Sequence, residues 1–369
     1  MTTMTKPKTA ASVAAKSRLL ELSVLNVFFC LLVVFIHVSA DPLTRLTLGS
    51  WQYILVMLPR RLASFVVQGF ILLSGVKMFL NKTDVSYRAH LKRTARIAVT
   101  YIVWVLVYFA YFTVSDNFTV NLRELPRHIL TGDLVAHFYF IIIIVQFYLL
   151  TPVWARLIKR GSPVLLIPLA LILSVIFGQH LPNMLELTFG ISDFAYSDRV
   201  FAKYLIYWIA GCCIGANYGA FKRQLRRSLK PAAAAFVISA AINAALCCLH
   251  YVGGRSIPWF ESFIVIYHFS AILFFFALAC RFADRQPRIK SSRVTSIVQS
   301  LDKVTFGVYL SHILVMFIVG DVLALFQGVS IGVSYSVRMV FTYIITLGGA
   351  LALRTAKLAA RARFFSRAR

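Results

Sequence analysis

Acidic residues are scarce in this chain: 13 Asp and Glu stand against 39 Lys and Arg in 369 residues. Charge of either sign is thin, at 14% of the sequence. Cysteine is sparse and poorly spaced for chemistry. Cys30, Cys212, Cys213, Cys247, Cys248 and Cys280 all fall in apolar stretches, and four of them form two adjacent pairs, so no CxxC spacing exists. This excludes a disulfide framework and a zinc motif, and leaves the thiols as small packing residues. No metal site is expected. No internal repeat is visible, which excludes a solenoid. The longest connections between apolar stretches are 117–134, 181–200 and 281–303. They leave no room for a separate soluble domain.

Apolar residues are what the chain has in abundance. They make up 59% of it, and the mean hydropathy is +0.77. Runs of about 20 apolar residues recur, the length that crosses a bilayer as a helix. We place ten spans, near 23–40, 61–80, 97–115, 135–155, 163–180, 201–217, 231–250, 261–280, 304–321 and 333–353. The expected fold is all-α, a polytopic transmembrane bundle over 23–353 between basic tails at 1–22 and 354–369. Pro152, Pro163, Pro182 and Pro231 fall at or near expected helix ends, where proline is tolerated.

A net charge of +26 suggests nucleic acid at first sight, but the distribution of the charges decides otherwise. With the amino terminus inside and the spans alternating, 29 of the 39 basic residues fall in the inner segments. Nine acidic residues, among them Asp41, Asp116, Asp133, Asp193 and Asp321, fall at the outer side. This is the positive-inside pattern, and it places both termini in the cytoplasm. Anionic lipid headgroups are the default partners of such loops; no nucleic-acid partner is expected.

Polar residues inside spans are costly and normally face a cavity or one another. The first span, Ser23 to Ala40, carries two, Asn26 and His37. Eleven helical steps return to within about 20° of the starting direction, so both lie on one face, roughly 16 Å apart. His37 and His137 are expected at outer helix ends and His268 in an outer half. His312 is expected near mid-span. Lys203 and Arg338 enter their spans from outside, and Arg93 and Arg96 lie inside. His180 and His250 read as interfacial residues at helix ends. A neutral imidazole can take a proton from a hydroxyl that attacks a carbonyl, without a metal. Two arginines at i and i+3 can grip phosphates. Together they suggest a phosphate-bearing donor entering from the cytoplasm and an acceptor outside.

Five segments carry a resemblance. They are Leu25-Asn26 to Val34-Phe35-Ile36-His37-Val38, Phe70-Ile71-Leu72-Leu73-Ser74-Gly75 and Arg93-Thr94-Ala95-Arg96-Ile97. The others are His137-Phe138-Tyr139-Phe140 with Tyr148-Leu149-Leu150-Thr151-Pro152, and Phe306-Gly307-Val308-Tyr309-Leu310-Ser311-His312. In this order, over nearly the full length, the chain resembles the acyltransferase 3 family of integral membrane O-acyltransferases. That family usually has an arginine eleven residues before the histidine, where this chain has Asn26, and a proline after the basic segment, which is missing here. The resemblance implies transfer of an acyl group, often acetyl from acetyl-CoA, to a hydroxyl of a sugar, glycan or lipid-linked intermediate in a bacterial cell membrane. Acyl-CoA is then a donor substrate, with no cofactor bound permanently. The resemblance implies His37 as the catalytic residue. Arg93, Arg96 and Asn26 become donor-binding candidates. Ser74, His137, Tyr139, Lys203, Tyr309, His312 and Arg338 remain as substrate-binding or structural candidates. Two other readings stand beside it: an exporter of a glycan or lipid-linked sugar, and a non-catalytic relative. The sequence does not set the oligomeric state.

Overall fold

A computed structural model describes residues 19–82, 86–115, 120–192, 194–286 and 293–367. Most of the basic amino-terminal tail, Asp116 and Asp193 lie outside them. No strand occurs among the described residues. The helices are α1 (Leu20–Val38), α2 (Ala40–Arg45), α3 (Trp51–Leu62), α4 (Val66–Met78), α5 (Tyr87–Val114), α6 (Leu125–Thr131), α7 (Tyr139–Leu149) and α8 (Thr151–Arg160). They continue with α9 (Pro163–Phe189), α10 (Leu205–Ala216), α11 (Tyr218–Arg227), α12 (Leu229–Cys247), α13 (Phe260–Arg285), α14 (Arg293–Asp302), α15 (Thr305–Ala324) and α16 (Ile331–Arg367).

Eight of the ten expected spans appear as helical segments long and apolar enough to cross a membrane alone. The fourth is a bent pair, α7 and α8, meeting at 59°. Pro152 opens α8 without an N–H to continue the α7 ladder, and Thr151 Oγ1 satisfies the freed Tyr148 carbonyl at 2.5 Å. The sixth is a shorter apolar stretch, Phe201–Ala216. The protein is a transmembrane helical bundle.

Three expectations about helix ends need correction. The second span starts at Trp51, not 61, because α3 carries Arg60 and Arg61 inside the helix. Their charges look like loop residues in sequence, but Arg60 Nε donates to the Ile36 carbonyl at 3.1 Å and the Arg61 guanidinium sits 3.6 Å from the centre of the Tyr251 ring. Next, α9 runs through Pro182 and His180 to Phe189, ending at Gly190 with φ +66°. Neighbouring groups relieve a proline inside a membrane helix. His180 is therefore exposed within a helix, while His250 bonds the Arg255 carbonyl through Nδ1 at 2.9 Å. Finally, the connection expected over 281–303 contains the helix α14.

Packing centres on α1. Its Leu22, Leu25, Phe29 and Val33 follow helical spacing and are buried in the main core. The tightest crossing joins α4 to α10. A Cβ on Gly211 would stand 2.2 Å from the Leu72 carbonyl oxygen, and one on Gly215 2.6 Å from that of Val76. Gly75 faces the Trp208 carbonyl in the same way, at 2.8 Å. Only glycine permits this approach. Membrane helices associate through such close backbone packing, since lipid offers little hydrophobic drive between them. The crossing fixes the depth and rotation of α4, which carries Ser74 and Lys77.

Candidate active site: a basic cavity and a histidine cluster

A cavity of about 720 Å³ opens among the starts of α1, α5 and α15 and the end of α4. Its polar lining includes Ser23, Asn26, Ser74, Lys77, Arg93 and Arg96. Thr100, Tyr148, Asp302, Lys303, Thr305 and Tyr309 complete it. Four of these residues are cationic, and Asp302 is the single acid among the described lining residues. The Arg93 guanidinium lies 5.1 Å from the Tyr148 ring centre. Neither Arg93 nor Arg96 is ion-paired among the described residues, so both guanidinia keep donors for an anion.

A polar network closes the α1 side of the cavity. Asp302, 7% exposed, accepts from Ser23 Oγ at 3.0 Å and from Asn26 Nδ2 at 2.7 Å. Asn26 Nδ2 also donates to Thr305 Oγ1 at 2.8 Å. On its other side, Asn26 Oδ1 accepts from Lys77 Nζ at 3.2 Å. The carboxylate accepts and the ammonium donates, so the network sets which way the Asn26 amide points.

Farther along α1, three imidazoles meet. The His37 ring centre is 5.2 Å from that of His312 and 6.2 Å from that of His137; His137 and His312 are 4.8 Å apart. His137 and His312 are buried, while His37 is half-buried. His312 Nδ1 bonds the carbonyls of Tyr309 at 2.7 Å and Val308 at 3.2 Å. Carbonyls only accept, so Nδ1 carries the proton and the neutral ring keeps its lone pair on Nε2, turned away from its own backbone. That Nε2 has no hydrogen-bond partner among the described residues. Neither ring nitrogen of His137 has a partner of normal geometry, although the Leu310 carbonyl lies close. Leaving a buried polar atom unpartnered costs about 1–3 kcal/mol. A cluster holding several such atoms suits a ligand that donates and accepts hydrogen bonds, as a hydroxyl does. No three His, Cys, Asp or Glu side chains among the described residues are arranged to hold a metal ion.

Tyr309 joins the two regions. It lines the cavity, donates its hydroxyl to the His137 carbonyl, and stands with its ring centre 5.1 Å from that of His137. One face of α1 therefore runs from the cavity at Asn26 to the cluster at His37.

Of the residues singled out in sequence, His37, His137, His312 and Tyr309 come together at the cluster. Asn26, Ser74, Arg93 and Arg96 come together at the cavity, again with Tyr309. Three lie elsewhere. Tyr139 packs half-buried against the main core. Lys203 lies in a 3₁₀ turn, its stem near Gly178 of α9. Arg338 pairs with Asp41 at 3.0 Å, and Asp41 also pairs with Arg45. His268 is satisfied by Ser64 at 3.1 Å and Tyr207 at 3.0 Å. Sequence reasoning missed Lys77, Asp302, Thr305 and Arg60. Lys77 had a signal, as a charge inside an apolar run. Asp302 had none, since its partners Ser23 and Asn26 are 279 and 276 residues away.

The sequence profile of an acyltransferase domain, that of the acyltransferase 3 family, matches residues 19–355. No curated protein and no solved structure matches the chain. The match covers nearly the whole chain, and the protein belongs to the acyltransferase 3 family.

Proposed function

We propose that this membrane acyltransferase moves an acyl group, acetyl in the first instance, from acyl-CoA to a hydroxyl of a cell-envelope sugar, glycan or lipid-linked intermediate. The setting is a bacterial plasma membrane, with the basic end of the bundle in the cytoplasm. The observation that carries this reading is the junction at Tyr309, where a cation-lined cavity meets a cluster of neutral-capable imidazoles. Phosphates of the donor are held by Arg93 and Arg96 with charge-assisted hydrogen bonds. The thioester extends along α1 toward His37.

His37 takes the proton of the acceptor hydroxyl as its oxygen attacks the thioester carbon. It is the half-buried member of the cluster, so an arriving hydroxyl meets it first. The C–O bond forms, the C–S bond breaks, and the proton passes to the departing thiolate. The products are the ester and the free thiol of CoA. His312, fixed through Nδ1, offers Nε2 as a second acceptor that steadies the hydroxyl. A hydrogen-bond donor is also needed for the oxygen of the tetrahedral intermediate. The N–H of His137, without a partner of normal geometry among the described residues, suits that task.

The test uses membranes supplied with acetyl-CoA labelled in the acetyl group, comparing the wild type with His37→Ala at matched expression. Label entering the glycan or lipid fraction only with the wild type supports the reading, and the labelled fraction identifies the acceptor class. Equal labelling by an intact His37→Ala protein would exclude His37 as the base.

A further inference from the structure

The polar network at the start of α1 presents a charge arrangement that the proposed donor site does not yet use. Lys77 is set into the apolar stretch of α4 at this cavity, one turn from Ser74. It is half-buried, and an ammonium there is costly unless it faces polar partners or an anion. The Gly75–Gly211 crossing holds α4 in place, so Lys77 cannot simply withdraw toward water. Asn26 meets it across the cavity wall, accepting from Lys77 Nζ through Oδ1 and donating to Asp302 through Nδ2.

Asparagine suits this position because it both accepts and donates. An arginine at 26 has only donors. It could serve Asp302, but it would set a second full positive charge against Lys77. Asn26 and Lys77 therefore form a matched pair.

We infer that Lys77 is a further donor-binding cation of this cavity beside Arg93 and Arg96, contacting a phosphate of the acyl-CoA, and that Asn26 orients it there. This rests on the donor reading proposed above. Arg93 lies half-buried and Arg96 and Lys303 exposed in the same lining, so Lys77 is one of four cations that line the cavity with the single carboxylate of Asp302. The lining then carries a cationic excess that suits a ligand with several negative charges.

The experiment measures CoA binding to the purified full-length protein, with KM and kcat for acetyl-CoA, in the wild type, Lys77→Met, Asn26→Arg and the double variant. Loss of one charge-assisted contact predicts about tenfold weaker CoA binding for Lys77→Met. KM should rise by a similar factor, with kcat within about twofold. Asn26→Arg alone should also weaken binding, since it removes the Oδ1 acceptor that orients Lys77. The double variant places the cation on α1 in place of α4 and should recover to within about threefold of wild type. A residue with a merely structural role would not be rescued in this way. If Lys77→Met fails to fold, Lys77→Gln serves the same comparison.

Equal CoA affinity in wild type and Lys77→Met, or a double variant no better than Lys77→Met, overturns the inference and leaves the donor reading intact. A folded wild-type protein that binds no CoA overturns the donor reading, and this inference with it.

Discussion

The cavity and the histidine cluster lie on the same face of α1, yet they are built on opposite terms. Around Asn26, every side-chain hydrogen-bonding group of the relay has a protein partner, and charge is present in quantity. Around His37 full charges are few, and the ring nitrogens of His137 and His312 lack protein partners among the described residues. The difference fits the role proposed for each region. A site that holds a polyanionic donor needs fixed cations, and these must be kept apart and oriented when the ligand is gone. A site that moves a proton needs groups with capacity left over. An imidazole tied up at both nitrogens has nothing to offer a hydroxyl.

Breaking one region should therefore leave the other working. His37→Ala and His312→Ala have the largest expected effect, a loss of about 10²- to 10⁴-fold in acyl transfer, the usual contribution of a general base. CoA affinity should stay within about twofold of wild type. Single-turnover transfer and CoA binding, measured on the same preparations, check both halves. If either variant loses CoA binding while remaining folded, the two regions are not separable.

Gly211→Ala attacks the scaffold that both regions share. Its new Cβ would lie 2.2 Å from a backbone oxygen of α4, and overpacking of this kind costs about 1–3 kcal/mol or more. The expected outcome is a lower unfolding temperature in detergent and reduced yield, with both binding and transfer lost together. Next in size is Arg93→Ala. It should raise KM for acetyl-CoA roughly 10- to 100-fold, the range for a lost hydrogen bond to a charged group, and leave kcat nearly unchanged. A fall in kcat instead would move Arg93 from binding the donor to the chemistry. Lys203→Met has the smallest expected effect, less than about twofold on either parameter, because the side chain packs near α9 and does not line the cavity. A large effect there would mean that the acceptor path passes α9.

Much of this arrangement was legible in the chain. The eleven-residue interval between Asn26 and His37 placed both on one helical face, and the structure puts one at the cavity and the other at the cluster. Arg93 and Arg96 at i, i+3 likewise share the cavity wall. Lys203 and Arg338 lie outside both regions for one reason. Charge at the end of a span signals a need for a partner but not which partner; Arg338 found Asp41, and Lys203 lies by α9. His268 shows the same limit, since a histidine inside a span satisfied by Ser64 and Tyr207 looks in sequence like one left unpartnered.

Hydrophobic periodicity and run length alone decided the membrane class, the number of apolar segments and the faces of α1, because they are local properties of a helix in a bilayer. The meeting of His37 with His137 and His312, and of Asn26 with Lys77 and Asp302, was decided only by tertiary packing. These contacts join residues 51 to 276 positions apart. They depend on how deeply α4 sinks against α10 through three glycines, and on α14 and α15 returning to the start of α1. Neither is a property of any single helix.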